Sequence, residues 1–158
     1  MIQDSVLQIV SDFKKEWSTV LSRNPVLELD DTWPSISILD LIFYDLYGKE
    51  NFDEIDRRIV KGSAAYIGIL AYKCWSSFAE EVELVDDEQR GVLIRANKGP
   101  FLEEGQSFSL SIEESLIKLI TMELDTFPVF SDYSRPIFPH TKLVRLFALS
   151  LCSGACPQ

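Results

Sequence analysis

The stretch GSAAYIGILAYKCW, residues 62 to 75, constrains the fold more than any other part of the chain. It is apolar enough to be buried, yet it carries two glycines, a serine and three alanines. Three environments tolerate such a composition: a bilayer, a phosphate-binding loop, and a helix pressed against its neighbours. Length excludes the first, because only 11 residues precede Lys73 and a helical span needs about 20. A phosphate cradle requires glycines in a loop ahead of a helix, in a G-x-G-x-x-G or G-x-x-x-x-G-K pattern, and neither pattern occurs. The third environment remains. Ala64, Gly68, Ala71 and Trp75 fall at i, i+4, i+7 and i+11, on one helical face. Gly62 and Gly68 each cost about 1 kcal/mol against alanine inside a helix. A second helix or a sheet approaching closely along that face offsets the cost through dispersion contacts.

The stretch is therefore read as the second half of a central helix that begins after Asn51 and runs to about Cys74. In its charged first half, FDEIDRRIVK, Asp53 and Glu54 occupy the first turn and are spaced to pair with Arg57 and Arg58. Upstream, Val6, Ile9, Val10, Phe13, Trp17, Val20 and Leu21 follow helical spacing, with Ser5 and Gln8 as a capping box and Asn24-Pro25 as the stop. A second helix is expected from Ser35 or Ser37 to Gly48, largely buried through Ile38, Leu39, Leu41, Ile42, Phe43 and Leu46. The period then changes. EEVELVDDEQRGVLIRA alternates around Val82 and Leu84, turns, and alternates again around Val92 and Ile94, which predicts a β-hairpin with one solvated face. SFSL predicts a third short strand through Phe108 and Leu110. Ser111 and Glu114 then cap a helix with Ile112, Leu116, Leu119, Ile120 and Leu124 inward, and a last helix carries Leu143, Val144, Phe147 and Leu151. Helices, then strands, then helices define an α+β class. The 158 residues suit a single α+β domain: about five helices packed around a small antiparallel sheet, with the helix near 51–74 at its centre.

The AAYIG helix followed by Trp75 and a hairpin resembles small uncharacterised bacterial α+β domains, over residues 36 to 96. Those carry an Ala-Tyr-aliphatic-Gly helix ending in Trp, and some of them are suspected immunity or accessory proteins. They often place Glu after the glycine, where this chain has Ile69, so the resemblance carries over no functional residue.

Charge bounds the partners. Twenty-five acidic against 15 basic residues leave a formal charge of −10, which repels phosphate backbones and argues against nucleic acid. A basic protein suits this surface better. The N-terminal MIQDSVLQIVSDFKKEW has no basic segment ahead of an apolar run and no small-residue cleavage site, and an odd count of three cysteines argues against a secreted disulfide framework. The expected compartment is the cytoplasm, with no membrane contact.

The residues offer little chemistry. A single histidine, His140, rules out H-E-x-x-H metalloproteases and any histidine pair. A Cys-His nucleophilic site would draw on Cys74, Cys152 or Cys156 with Asp132 as orienter, but Cys74 closes an apolar helix and reads as an inert buried thiol. Cys152 and Cys156, with His140 and Cys74, match zinc-ligand spacing only loosely, and a frayed C-terminus carrying two thiols is the better reading. No cofactor is implied. The carboxylates at Asp30-Asp31, Glu80-Glu81-Glu83, Asp86-Asp87-Glu88 and Glu103-Glu104 fall in turns or on the outer face of the hairpin, where solvated charge is expected. Residues 126 to 140 stand apart, rich in aromatics and stiffened by Pro128, Pro136 and Pro139. Aromatics and arginine anchor interfaces, so Phe130, Asp132, Tyr133, Arg135 and Phe138 are the candidate partner-binding residues, with a lid over the core as the competing role. The leading expectation is a non-catalytic protein-interaction module, of which an immunity-type inhibitor of a basic toxin is one version. Two others stay open: a small-ligand binder or enzyme with a pocket beneath the loop formed by Asp132, Arg135 and His140, and a structural subunit that oligomerises through its helices.

Overall fold

Helix α3 (Glu54–Trp75) organises everything else. The computed structural model describes residues 1–21, 28–46, 49–97, 107–121 and 143–152. In chain order these form α1 (Asp4–Leu21), a 3₁₀ turn (Trp33–Ser35), α2 (Ile36–Phe43), α3, β1 (Glu83–Asp87), β2 (Gly91–Ala96), β3 (Phe108–Ser111), α4 (Ile112–Ile120) and α5 (Leu143–Cys152). Five helices and a small three-stranded antiparallel sheet give the expected α+β arrangement.

The start of α3 is fixed by a reciprocal cap. The Asp53 carboxylate accepts from the Asp56 N–H at 2.8 Å, and the Asp56 carboxylate accepts from the Asp53 N–H at 3.2 Å. Lys49 Nζ lies 3.1 Å from the buried Asp56 carboxylate, which would otherwise be a costly isolated charge. The expected pairing of Asp53 and Glu54 with Arg57 and Arg58 is corrected here. Asp53 turns back onto its own helix, and Arg58 reaches across to Glu16 of α1 at 3.7 Å. Replacing Asp53 by alanine leaves the Asp56 N–H without its side-chain acceptor and is expected to cost about 1 kcal/mol. In a chain of this size that lowers Tm by about 2–4 °C, readable by circular dichroism.

From Ile59 to Ala71, α3 is buried on nearly every side, with Lys61 and Ile69 the partial exceptions. Helix α1 packs on one flank, β1, β2 and α4 on another, and α2 and α5 on a third. The small residues do what their spacing predicts, on two flanks rather than one. A Cβ at Gly62 would run into the ring and Cβ of Phe13 on α1, and one at Gly68 would lie 2.6 Å from Leu84 Cδ1 and 3.2 Å from Ile112 Cδ1. Near its end, Trp75 stacks at a tilt on Phe108 of β3, with ring centroids 5.2 Å apart.

The other helices begin and end by local logic. Ser5 lies inside α1 rather than capping it. The Gln3 carbonyl accepts from the Val6 N–H at 3.0 Å, and Gln8 donates forward to Asp12 at 2.8 Å. Helix α2 stops at Phe43, short of the expected Gly48, because the chain tightens into i→i+3 bonds: Tyr44 N–H to Leu41 and Leu46 N–H to Phe43. Gly48, Asn24 and Pro25 lie outside the described residues. Leu41, expected inward, is 62% exposed, while the polar Asp40 takes the buried position. Ahead of α2, the hydroxyl of the buried Tyr66 pins the connecting segment. It accepts from the Asp31 N–H at 2.9 Å and lies 2.5 Å from Ser35 Oγ. Burial holds the Tyr66 phenol above its ordinary pKa, so it remains a neutral hydroxyl.

The expected hairpin forms, with its turn narrowed to residues 88–90 because Asp86, Asp87 and Gly91 join the strands. Leu84 pairs with Ile94 and Glu83 with Arg95 across β1 and β2, and β3 adds to the other edge of β2. Leu84, Val92 and Ile94 point to the helices and are fully buried. Residues at the N-terminus lie along β1, where Ile2 bridges Leu84 in parallel and Gln3 Oε1 accepts from the Asp86 N–H at 2.8 Å. Ser111 caps α4 through the Glu114 N–H at 3.1 Å. Leu124 falls outside the described residues.

Candidate interaction surface

The loop residues expected to bind a partner, Phe130, Asp132, Tyr133, Arg135 and Phe138, lie outside the described residues, as do His140, Cys156, Glu103 and Glu104. The described part of the candidate site is the acidic surface, and the hairpin is its densest region. Six carboxylates stand against two guanidiniums between residues 80 and 97. Glu81 adopts a left-handed backbone, φ 55°, where the chain turns from α3 into β1. Its carboxylate accepts from Asn97 Nδ2 at 2.8 Å, tying the approach of β1 to the exit of β2. At the tip, the Asp87 carboxylate accepts from the N–H groups of Arg90 and Gln89, both at 2.9 Å. Those backbone donors, Arg90 first, hold its pKa below the ordinary carboxylate value, so the tip stays charged in mildly acidic solution. Glu88 beside it is exposed.

Asp86 departs from the expected solvated face. It is half-buried on the helix side of β1, 3.0 Å from Lys61 Nζ, which also lies 3.8 Å from Glu113 of α4. Glu113 in turn accepts from the Val92 N–H at 2.9 Å and lies against Gly91, whose φ of 71° and lack of Cβ leave room for that carboxylate. Lys61 is thus a cross-link between α3, β1 and α4. Its environment is structural, and no reacting group is aimed at it.

Four further cations are engaged in a similar way. Lys14 pairs with Asp31 at 2.6 Å, Lys49 with Asp56, Arg58 with Glu16, and Arg95 with Glu83. Each surface pair contributes little stability, about 0–1 kcal/mol, yet it neutralises the base locally. Asp4, Asp45, Glu50, Glu54 and Glu88 are exposed and belong to none of these pairs.

One cleft of about 160 Å³ opens between α1 and α3, where Gly62 lets Phe13 lie on the helix. Ile9 and Phe13 form its floor, with Asp12 and Glu16 on one wall and Arg58 and Lys61 on the other. It is shallow, and its opposed charges face each other rather than a common point. Cys74 and Cys152 are half-buried, so Cys74 is not sealed in the core as expected. Among the described residues no three His, Cys, Asp or Glu side chains converge as metal ligands, and no helix is long and apolar enough to cross a membrane.

No family model, curated protein or solved structure matches the chain. Sequence reasoning located the carboxylate clusters but missed the inward role of Asp86 and the buried Asp40. Each is an acid inside an otherwise ordinary pattern, and its partner lies far away in the chain. Tyr66 carried a faint signal, as a phenol in an apolar helix whose hydroxyl needs a polar partner once buried.

Proposed function

We propose that this chain is a non-catalytic protein-interaction module that takes a basic protein partner. The observation that supports the reading is the state of the surface charge. Five of the ten described cations are consumed by ion pairs, while a larger number of exposed carboxylates stays outside such pairs, concentrated at the hairpin and around the start of α3. Such a surface attracts a cationic partner over a distance set by the Debye length, about 8–10 Å at physiological salt. An immunity-type or accessory protein of bacterial origin, working in the cytoplasm, is the concrete form this takes. In it the aromatic residues Phe130, Tyr133 and Phe138, with Asp132 and Arg135, supply the anchor that charge alone does not.

The test uses the folded full chain as bait at low and high salt, beside two variants. One reverses charge at the hairpin tip (Asp87→Lys with Glu88→Lys), and the other removes the anchor (Tyr133→Ala with Arg135→Ala). A basic protein retained by wild type, released by salt, and reduced tenfold or more by each variant is the expected result. Retention that ignores salt and both variants would remove the reading.

A further inference from the structure

Helix α5 is held at both ends by side chains that belong to other helices. At its start, the Val144 N–H donates to Asp40 Oδ1 of α2 at 2.9 Å, across 104 positions of sequence, and Asp40 is 3% exposed. At its end, the Leu151 carbonyl accepts from Trp75 Nε1 of α3 at 2.8 Å, with Trp75 4% exposed. The described residues of the helix bring little of their own to these ends. The helix has no acidic residue in its first turn and no basic residue in its last to complement the helix dipole. Its ten residues are fewer than the roughly 12–15 that an isolated helix needs to be even marginally stable in water. Detached from Asp40 and Trp75, α5 loses both its caps and the burial of Val144, Phe147, Ala148 and Leu151.

We propose that α5 is a conditional element. It docks and folds as one unit on α2, α3 and α4, and it releases as one unit while the sheet and α3 stay folded. Asp40 and Trp75 are the two clamps that set the balance between the states. Release exposes the apolar faces of α2 and α3 that α5 covers, giving the chain a second surface alongside its acidic one. Opening of this kind is the sub-global type, in which a contiguous segment exchanges below the free energy of global unfolding.

The test is native-state hydrogen exchange on the full chain, comparing wild type, Asp40→Ala and Trp75→Phe. In wild type, amides from Phe147 to Cys152 are expected to open at a lower free energy, and with a weaker dependence on denaturant, than those from Ala64 to Ala71. Each variant, by removing at least one buried hydrogen bond, is expected to speed exchange from Phe147 to Cys152 roughly 10–100-fold. Equal opening free energies with one denaturant dependence in both segments would show that α5 opens only with the whole chain, and unchanged α5 rates in either variant would show that its clamp is idle. Both results overturn the proposal. Should Asp40→Ala not fold, Trp75→Phe decides by the same criterion, because it keeps an aromatic ring in place and removes the donor.

Discussion

Trp75→Ala is expected to destabilise the protein by about 3–5 kcal/mol, the range for truncating a large buried aromatic. Three contributions converge on this side chain. Its indole fills the space where α3 ends, packed on Phe108 at 5.2 Å and Phe78 at 6.3 Å between ring centroids. It is 4% exposed, so the alanine leaves a cavity that surrounding elements must close. Its Nε1 donor holds the Leu151 carbonyl, and losing it costs a further buried hydrogen bond. For a domain with typical stability of about 5–15 kcal/mol, the loss is a large share of the total. Urea unfolding should show the midpoint falling sharply with an unchanged slope. A loss under 1 kcal/mol would mean that the indole is not the keystone of that end of the core.

Gly62→Leu is expected to cost about 3 kcal/mol, at the upper end for overpacking, although leucine is much the better helix former. The atoms in the way are Phe13 Cβ and Cγ as well as the ring, so the side chain cannot swing clear and α1 itself must move. Gly68→Ala behaves differently. Its nearest neighbours are the flexible methyl ends of Leu84, which must swing aside from 2.6 Å, and of Ile112, which gives by a few tenths of an ångström from 3.2 Å, and the gain in helix propensity opposes the strain. Its net effect should be within about 1 kcal/mol of zero. The contrast is the sharper test: two glycines six residues apart in one helix, one intolerant and one tolerant. Equal effects at the two positions would contradict the packing described here.

The glycine contrast also marks where sequence reasoning stops. Periodicity alone identified α3 and its buried stripe, because a run such as AAYIGILA has few other solutions in a soluble helix. The hairpin was equally legible, since alternation about Leu84 and Ile94 changes face with any one-residue slip. The partner of each small residue was not legible. That Gly62 meets α1 and Gly68 meets β1 and α4 depends on how distant segments stack. The end of α2 was misplaced for a local reason, because tightening into i→i+3 bonds at Tyr44 and Leu46 leaves no mark in composition. Buried carboxylates were the largest miss. Nothing in the sequence marks Asp40 and Asp56 as buried, and it takes partners such as the Val144 N–H and Lys49 to make their burial possible. On the acidic surface, the clusters at 80–88 were visible as charge, whereas the division into paired and unengaged carboxylates required the fold.

The central claim is that recognition runs through this acidic surface. It is tested most directly by measuring the affinity of the purified chain for its captured partner across a series of salt concentrations, with wild type and the Asp87→Lys, Glu88→Lys variant side by side. The account predicts that wild-type affinity falls steadily as salt rises, and that the variant starts at least tenfold weaker and falls less steeply. Equal affinities with no salt dependence would contradict it.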